Sequence, residues 1–120
     1  MLNYSSSGLD LVFAALSDPS RRAMVERLGR GSASVSELAG PLDMSLPAVV
    51  QHLQVLTESG VILTRKVGRV RRCRLRPESL RSARGWIVAR QEAFWKAGLR
   101  EMDRLLADED RKTTRKEKKR

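Results

Sequence analysis

Residues 35–56 constrain this chain more than any other stretch, because they carry two helical patterns separated by a turn at Asp43, Met44 and Ser45. In the second pattern Leu46, Val49, Leu53 and Leu56 step by three, four and three residues, which at ~100° per residue keeps them in one narrow stripe. That stripe is the expected buried face of an amphipathic helix. Pro47, Ala48, Gln51 and Gln54 fall on the other side, and no carboxylate follows until Glu58. Small side chains and amides make an uncharged hydrogen-bonding surface, and glutamine can pair bidentately with adenine in a major groove. Two close helices, the second with such a face, have the organisation of a helix-turn-helix.

Capping chemistry supports the division. Ser34 precedes the first motif helix and Glu37 stands three residues on, a capping box, while Ser45 caps the second helix and Gly60 stops it. Leu38 and Leu42 are the first motif helix's expected buried residues, and Pro41 shortens it. Upstream, Leu9, Val12, Phe13 and Leu16 share a helical face. Asp18-Pro19 starts a further helix, since aspartate caps free N–H groups and proline at the first position has no N–H to leave unpaired. There Ala23, Met24 and Leu28 are expected to face inward, with Gly29 and Gly31 as left-handed residues ending the helix. Arg21 and Arg22 sit in its first turn, where the helix dipole disfavours cations. They read as a solvated pair, with a phosphate or an intersubunit carboxylate as the other possibility.

Val61, Ile62 and Leu63 begin a strand, Gly68-Arg69 turns it, and residues 70–76 return. Residues 65–76 hold seven cations and no acid: Arg65, Lys66, Arg69, Arg71, Arg72, Arg74 and Arg76. On the returning strand Arg72, Arg74 and Arg76 share one face, Cys73 and Leu75 the other. A basic hairpin after a two-helix motif is a wing, expected to lie along a backbone or to dip an arginine into a minor groove. The expected DNA contacts are therefore Ser45, Pro47, Ala48, Val50, Gln51, His52 and Gln54 from the helix, with Arg65, Lys66, Arg69, Arg71, Arg72 and Arg74 from the wing. His52 lies at the edge of the groove-facing surface, in a structural or phosphate-contacting role.

A helical pattern resumes at Glu78 and runs, with a break near Gly85, to about Leu106. Val88, Trp95, Leu99, Met102 and Leu106 step by seven, four, three and four residues, a coiled-coil-like seam that Phe94 and Leu105 widen. Aromatic residues are only 4% of the chain, so a core of Leu, Val, Ala and Met gains from the area a dimer buries. The seam is read as a dimer face, packed with Leu9, Val12 and Phe13 of the first helix. The expected organisation is a flexible lead-in over residues 1–8, a mainly α domain with a small β-hairpin over 9–108, and a basic disordered tail over 109–120.

Of the net charge of +10, residues 111–120 supply +6, from seven cations against Glu117. Such a balance favours polyanions through counterion release. One cysteine allows no intramolecular disulfide, no apolar run reaches the ~18 residues of a bilayer span, and residues 1–8 do not resemble an export signal. The expected setting is a reducing cytoplasm with no membrane partner. Cys73 has arginine neighbours that lower a thiol's pKa when it is exposed, but strand alternation turns it inward as an inert buried thiol. No phosphate-cradling loop, nucleophile elbow or acid pair is present, so no enzyme and no cofactor is expected.

Asp18-Pro19-Ser20-Arg21-Arg22, Val35-Ser36-Glu37-Leu38-Ala39, the run from Met44 to Leu53, Leu56, Gly60-Val61-Ile62 and the Gly68-Arg69 wing together resemble the ArsR/SmtB family of bacterial transcriptional repressors. The resemblance covers residues 9–77, and its most specific segment is the Ser-x-Pro-Ala-Val-x-x-His-Leu of the second motif helix. It implies a winged helix-turn-helix homodimer, joined through its terminal helices, that binds double-stranded DNA at a palindromic operator and often represses its own operon. Many members carry serine where Val50 stands, and a valine methyl can meet a thymine methyl instead. The best-known members release DNA on binding metal, through cysteines on the third or fourth helix or His and Asp pairs on the last. Here residues 35–58 hold no cysteine and residues 86–120 neither histidine nor cysteine, so no metal is expected. The expected function is a sequence-specific homodimeric repressor in the bacterial cytoplasm. Its competitors are a winged-helix module for protein interaction or nonspecific nucleic-acid coating, and a redox-responsive repressor acting through Cys73.

Overall fold

The computed structural model describes residues 4–118. In chain order the elements are α1 (Tyr4–Ala15), α2 (Pro19–Leu28), β1 (Ala33–Ser34), α3 (Val35–Ala39), α4 (Leu46–Glu58), β2 (Ile62–Val67), β3 (Val70–Leu75) and α5 (Pro77–Lys118). They fall into two compact units that divide between Arg84 and Gly85. The fold is mainly helical with a small antiparallel sheet, a winged helix-turn-helix.

The first unit is organised on the inward stripe of α4. Val49, Leu53 and Leu56 are buried and join Val12, Ala15, Met24, Leu28, Leu38, Val61, Ile62 and Cys73 in one cluster. Leu46, expected on that stripe, is 55% exposed. It is the first residue of α4, so it has the right direction but projects past the elements that cover the rest of the face. On α2, Met24 and Leu28 are buried as expected, whereas Ala23 is exposed and Val25 packs on the cluster instead. Gly31 ends that region with φ 138°, but Gly29 is right-handed at φ −62° and closes α2 with an ordinary helical bond to the Val25 carbonyl.

The capping box is present in both directions. Glu37 N–H donates to Ser34 Oγ at 3.1 Å, and Ser34 N–H donates to Glu37 Oε1 at 3.3 Å. α3 nevertheless ends at Ala39, so the connection to α4 spans residues 40–45 rather than three residues. Gly40 still has helical φ −51° and ψ −50° and donates to the Ser36 carbonyl, so α3 stops there because Pro41 has no N–H to extend the ladder. Leu42 and Met44 in this longer turn still pack on the core.

The sheet has the order β1-β3-β2, antiparallel throughout. Pairing of Val67 with Val70 leaves a two-residue turn, in which Gly68 has φ 62° while no non-glycine residue among those described has positive φ. Positive φ at the first central position alone is the type II′ requirement, which glycine meets without strain. β1 was not expected. Ala33 and Ser34 pair with Cys73 and Arg72, across some forty residues of sequence.

Within the first unit, the start of α5 is held by Ala83, buried at 6%, and by the Ser79 hydroxyl, which donates to the Gly60 carbonyl. In the second unit α5 continues to Lys118, past the expected end near Leu106 and through most of the tail expected to be disordered. Residues 109–118 are rich in helix formers, Arg111 pairs with Asp108 one turn back, and the Thr113 and Thr114 hydroxyls fold onto the carbonyls of Glu109 and Asp110. α1 likewise starts at Tyr4, inside the segment expected to be a flexible lead-in. Residues 1–3 and 119–120 of the two expected terminal segments lie outside the described residues.

Candidate nucleic-acid interface

α4 is capped by Ser45, whose Oγ accepts from Ala48 N–H at 3.3 Å, and Pro47 in the first turn has no N–H to satisfy. With the stripe turned inward, Pro47, Val50, Gln51 and Gln54 are exposed and Ala48 is half-buried. Gln54 Nε2 donates to Glu58 Oε1 at 3.1 Å, which leaves its carbonyl oxygen as the outward acceptor.

The register of the wing sorts its cations onto two faces. Directly paired residues share a face, so Lys66 and Arg71 lie with Thr64 and Cys73, while Arg65, Arg72 and Arg74 lie on the opposite side. Arg71 donates to Thr64 Oγ1 at 3.3 Å and lines a cleft of about 440 Å³ together with Val50 and Gln54 of α4. The structure therefore brings one wing arginine to the outward residues of the helix. Arg65, Arg72 and Arg74 line a separate groove on the far face of the sheet. Arg72 is also tied down, 3.6 Å from Glu37 and within hydrogen-bond distance of Ser32. Glu37, bonded by Ser34 and flanked by Arg72 and Arg27, has its carboxyl held below the usual range. Lys66, Arg69 and Arg74 are exposed.

His52 is not a free groove-edge residue. Its Nδ1 lies 3.2 Å from Arg21 Nη1, and its side chain is 23% exposed. Arg21 and Arg22, expected to be solvated, instead reach the end of α1. Arg21 Nε donates to the Ala15 carbonyl at 2.7 Å and Arg22 Nη1 to the Leu16 carbonyl at 2.9 Å. The last carbonyls of a helix have no intrahelical donors and carry its negative pole. Cations that look misplaced at the start of α2 are thus well placed at the end of α1. The signal was in the sequence: a helix ends only a few residues before an arginine pair.

The residues expected in a dimer face divide. Val12 is 4% exposed and belongs to the core, because the inward face of α1 covers its own unit. Leu9 and Phe13 pack partly on the same cluster. Val88 is half-buried, whereas Trp95, Leu99, Met102 and Leu106 of α5 are 68%, 56%, 58% and 55% exposed.

A family model described as a helix-turn-helix domain matches residues 16–65. An HTH-type transcriptional regulator of Mycobacterium tuberculosis, Rv2034, is 38% identical over 100 residues, covering 83% of this chain and 90% of its own. The crystal structure of an ArsR family transcriptional regulator superposes with a TM-score of 0.70 at 45% identity, over 73% of this chain and 97% of that one. This chain belongs to the ArsR family of winged helix-turn-helix transcriptional regulators. A further relative, the transcriptional repressor SdpR of Bacillus subtilis, is 29% identical over 77 residues, 64% of this chain and 86% of its own.

Among the described residues no group of three or more His, Cys, Asp or Glu side chains is placed to hold a metal ion. No helix of the described residues is long and apolar enough to cross a membrane. Cys73, the ArsR wing's one thiol, is 1% exposed, and burial pushes its pKa up against the pull of Arg71 and Arg72. A thiol of this kind is unreactive. We expect a thiol reagent such as dithionitrobenzoate to label Cys73 only after denaturation, and C73S to bind DNA like the wild type with or without peroxide. Rapid labelling of the native protein would contradict this.

Proposed function

We propose that this chain is a homodimeric repressor that reads an inverted-repeat operator in double-stranded DNA with α4 and grips the backbone with its wing. The observation that carries the reading is the outward face of α4, an exposed uncharged surface of Pro47, Val50, Gln51 and Gln54 beside Arg71 of the wing. Amides and methyls suit base edges, whereas a protein that merely coats nucleic acid places cations on such a face. A homodimer joined on the exposed α5 seam carries two α4 helices, one for each half-site of an inverted repeat, and such half-sites lie about one helical turn, ~34 Å, apart. The relative named as a repressor supports the direction of regulation. This reading includes no catalysed reaction, no metal and no cofactor, and it places the protein in the reducing cytoplasm.

Selection of bound sequences from a random DNA pool identifies the operator. Q51A and Q54A should each then weaken operator binding about 5- to 150-fold, the range of one lost base contact. They should also relax preference at one base pair per half-site and leave the salt slope unchanged. The coating alternative gives the opposite pattern: glutamine changes have no effect, and deletion of residues 111–120 removes most of the affinity.

A further inference from the structure

One guanidinium joins three helices of the first unit. Arg21 lies on α2, where its backbone N–H donates to the capping Asp18 Oδ2 at 2.9 Å. Its Nε and Nη2 donate to the Ala15 and Ala14 carbonyls at the end of α1, at 2.7 and 3.2 Å. Its Nη1 faces Nδ1 of His52 on α4 at 3.2 Å. Guanidinium nitrogens only donate, so in this contact Nδ1 is the acceptor and the ring proton sits on Nε2. Asp18 Oδ2 lies 3.9 Å from the same nitrogen. His52 stands one residue after Gln51 and two before Gln54, so whatever fixes its ring fixes the rotation of α4 at the residues proposed to read bases. Apolar burial of Val49, Leu53 and Leu56 holds α4 without directional preference, whereas a hydrogen bond to the ring is directional.

We propose that Arg21 and His52 form a positioning pair, in which Arg21 anchors on the α1 carbonyls and holds His52, setting the rotation at which α4 presents Gln51 and Gln54. Neither residue then acts by touching DNA. The pair works because the guanidinium is a rigid planar fork whose donors point in separate directions, a task a lysine ammonium on a flexible stem does not perform. The proposal rests on the reading of α4 as the base-reading helix, and it adds a specificity role for one residue at the edge of that helix's outward face and one on α2.

The test uses the full-length protein, an operator selected with the wild type, and a scrambled duplex of equal length. R21K and H52A should each weaken operator binding about tenfold or more, the order of one hydrogen bond to a charged group. Binding to scrambled DNA should stay within about twofold, because backbone contacts supply it. The double variant should be little weaker than either single one, the signature of a shared interaction. H52N keeps an acceptor near the Nδ1 position and should recover most of the operator affinity. The salt slope should be unchanged in all of them.

A merely structural role lowers operator and scrambled binding together, in step with the folded fraction, and overturns the proposal. So do additive losses, an H52N as weak as H52A, or a salt slope reduced by about one, which marks a direct phosphate contact. If H52A fails to fold, R21K and H52N decide by the same criteria. If the wild type itself fails to distinguish operator from scrambled DNA, the base-reading assignment falls first, an outcome distinct from wild-type discrimination that these variants leave intact.

Discussion

Aspartates at Leu99 and Met102 together should convert the protein into a monomer that no longer holds a full inverted repeat. Both residues sit on the α5 seam, more than half exposed in the single chain, and the helix needs neither side chain for its backbone bonds. The change therefore costs the protomer little, and circular dichroism should show the helix content retained. In a dimer the same positions face a partner, and each protomer would bury two carboxylates there without counterions, at several kcal/mol per ion. That cost falls on association alone, because the same side chains lie in water in the monomer. Two half-sites gripped by one dimer gain ~10²–10⁴ in affinity over one, so full-operator binding should fall to the half-site level. Light scattering with size exclusion gives the mass, and titration against full and half operators gives the affinity. A double variant that stays dimeric removes α5 from the interface.

The features legible in the sequence are those whose chemistry is local. Asp18 and Ser34 cap their helices because side-chain oxygen and free N–H lie within three residues, and Gly68 turns the hairpin because the residue itself admits positive φ. The outward glutamines followed from helical angle alone. What sequence did not yield depends on partners distant in the chain or on where a neighbour stops. β1 is two residues long and has no period of its own. It exists because Cys73 and Arg72 present a free edge to it. Leu46 has the correct angle, but nothing reaches far enough to cover it. Parity placed Arg72 among the outer cations, yet not that Glu37 of α3 claims it.

The same limit explains the arginine pair and the end of α5. Dipole reasoning within α2 treats Arg21 as a misplaced cation, and only the position of the α1 carbonyls reverses the sign. At Asp18 the Arg21 backbone bond, with the Arg21 charge behind it, holds the carboxyl below the usual range. A run such as residues 109–118 is compatible with disorder or with a helix of spaced opposite charges, and composition does not distinguish the two. The separation of Val12 from the proposed dimer face has a similar origin, since one apolar stripe on α1 could have served either a core or a partner, and its own core takes it.

Leu56→Ala should produce the largest loss of stability of any single change on α4. Leu56 is fully buried and leads through the Val61 N–H bond to its carbonyl straight into the strand region, so its neighbours are pinned from two elements and cannot collapse into the space left. Under those conditions a Leu→Ala change costs about 2–5 kcal/mol, a large share of the ~5–15 kcal/mol of a typical domain. Urea titration at fixed protomer concentration, as a dimer requires, should show a lower midpoint with little change in slope. Leu46→Ala is the matched control from the same helix and the same nominal stripe. At 55% exposed it should move stability by no more than about 0.5 kcal/mol. Operator affinity corrected for the folded fraction should stay near the wild type in Leu56→Ala, because the outward face of α4 is unaltered. Equal destabilisation by the two changes would mean that Leu46 is covered after all, and that the first turn of α4 belongs to the core as its spacing suggests.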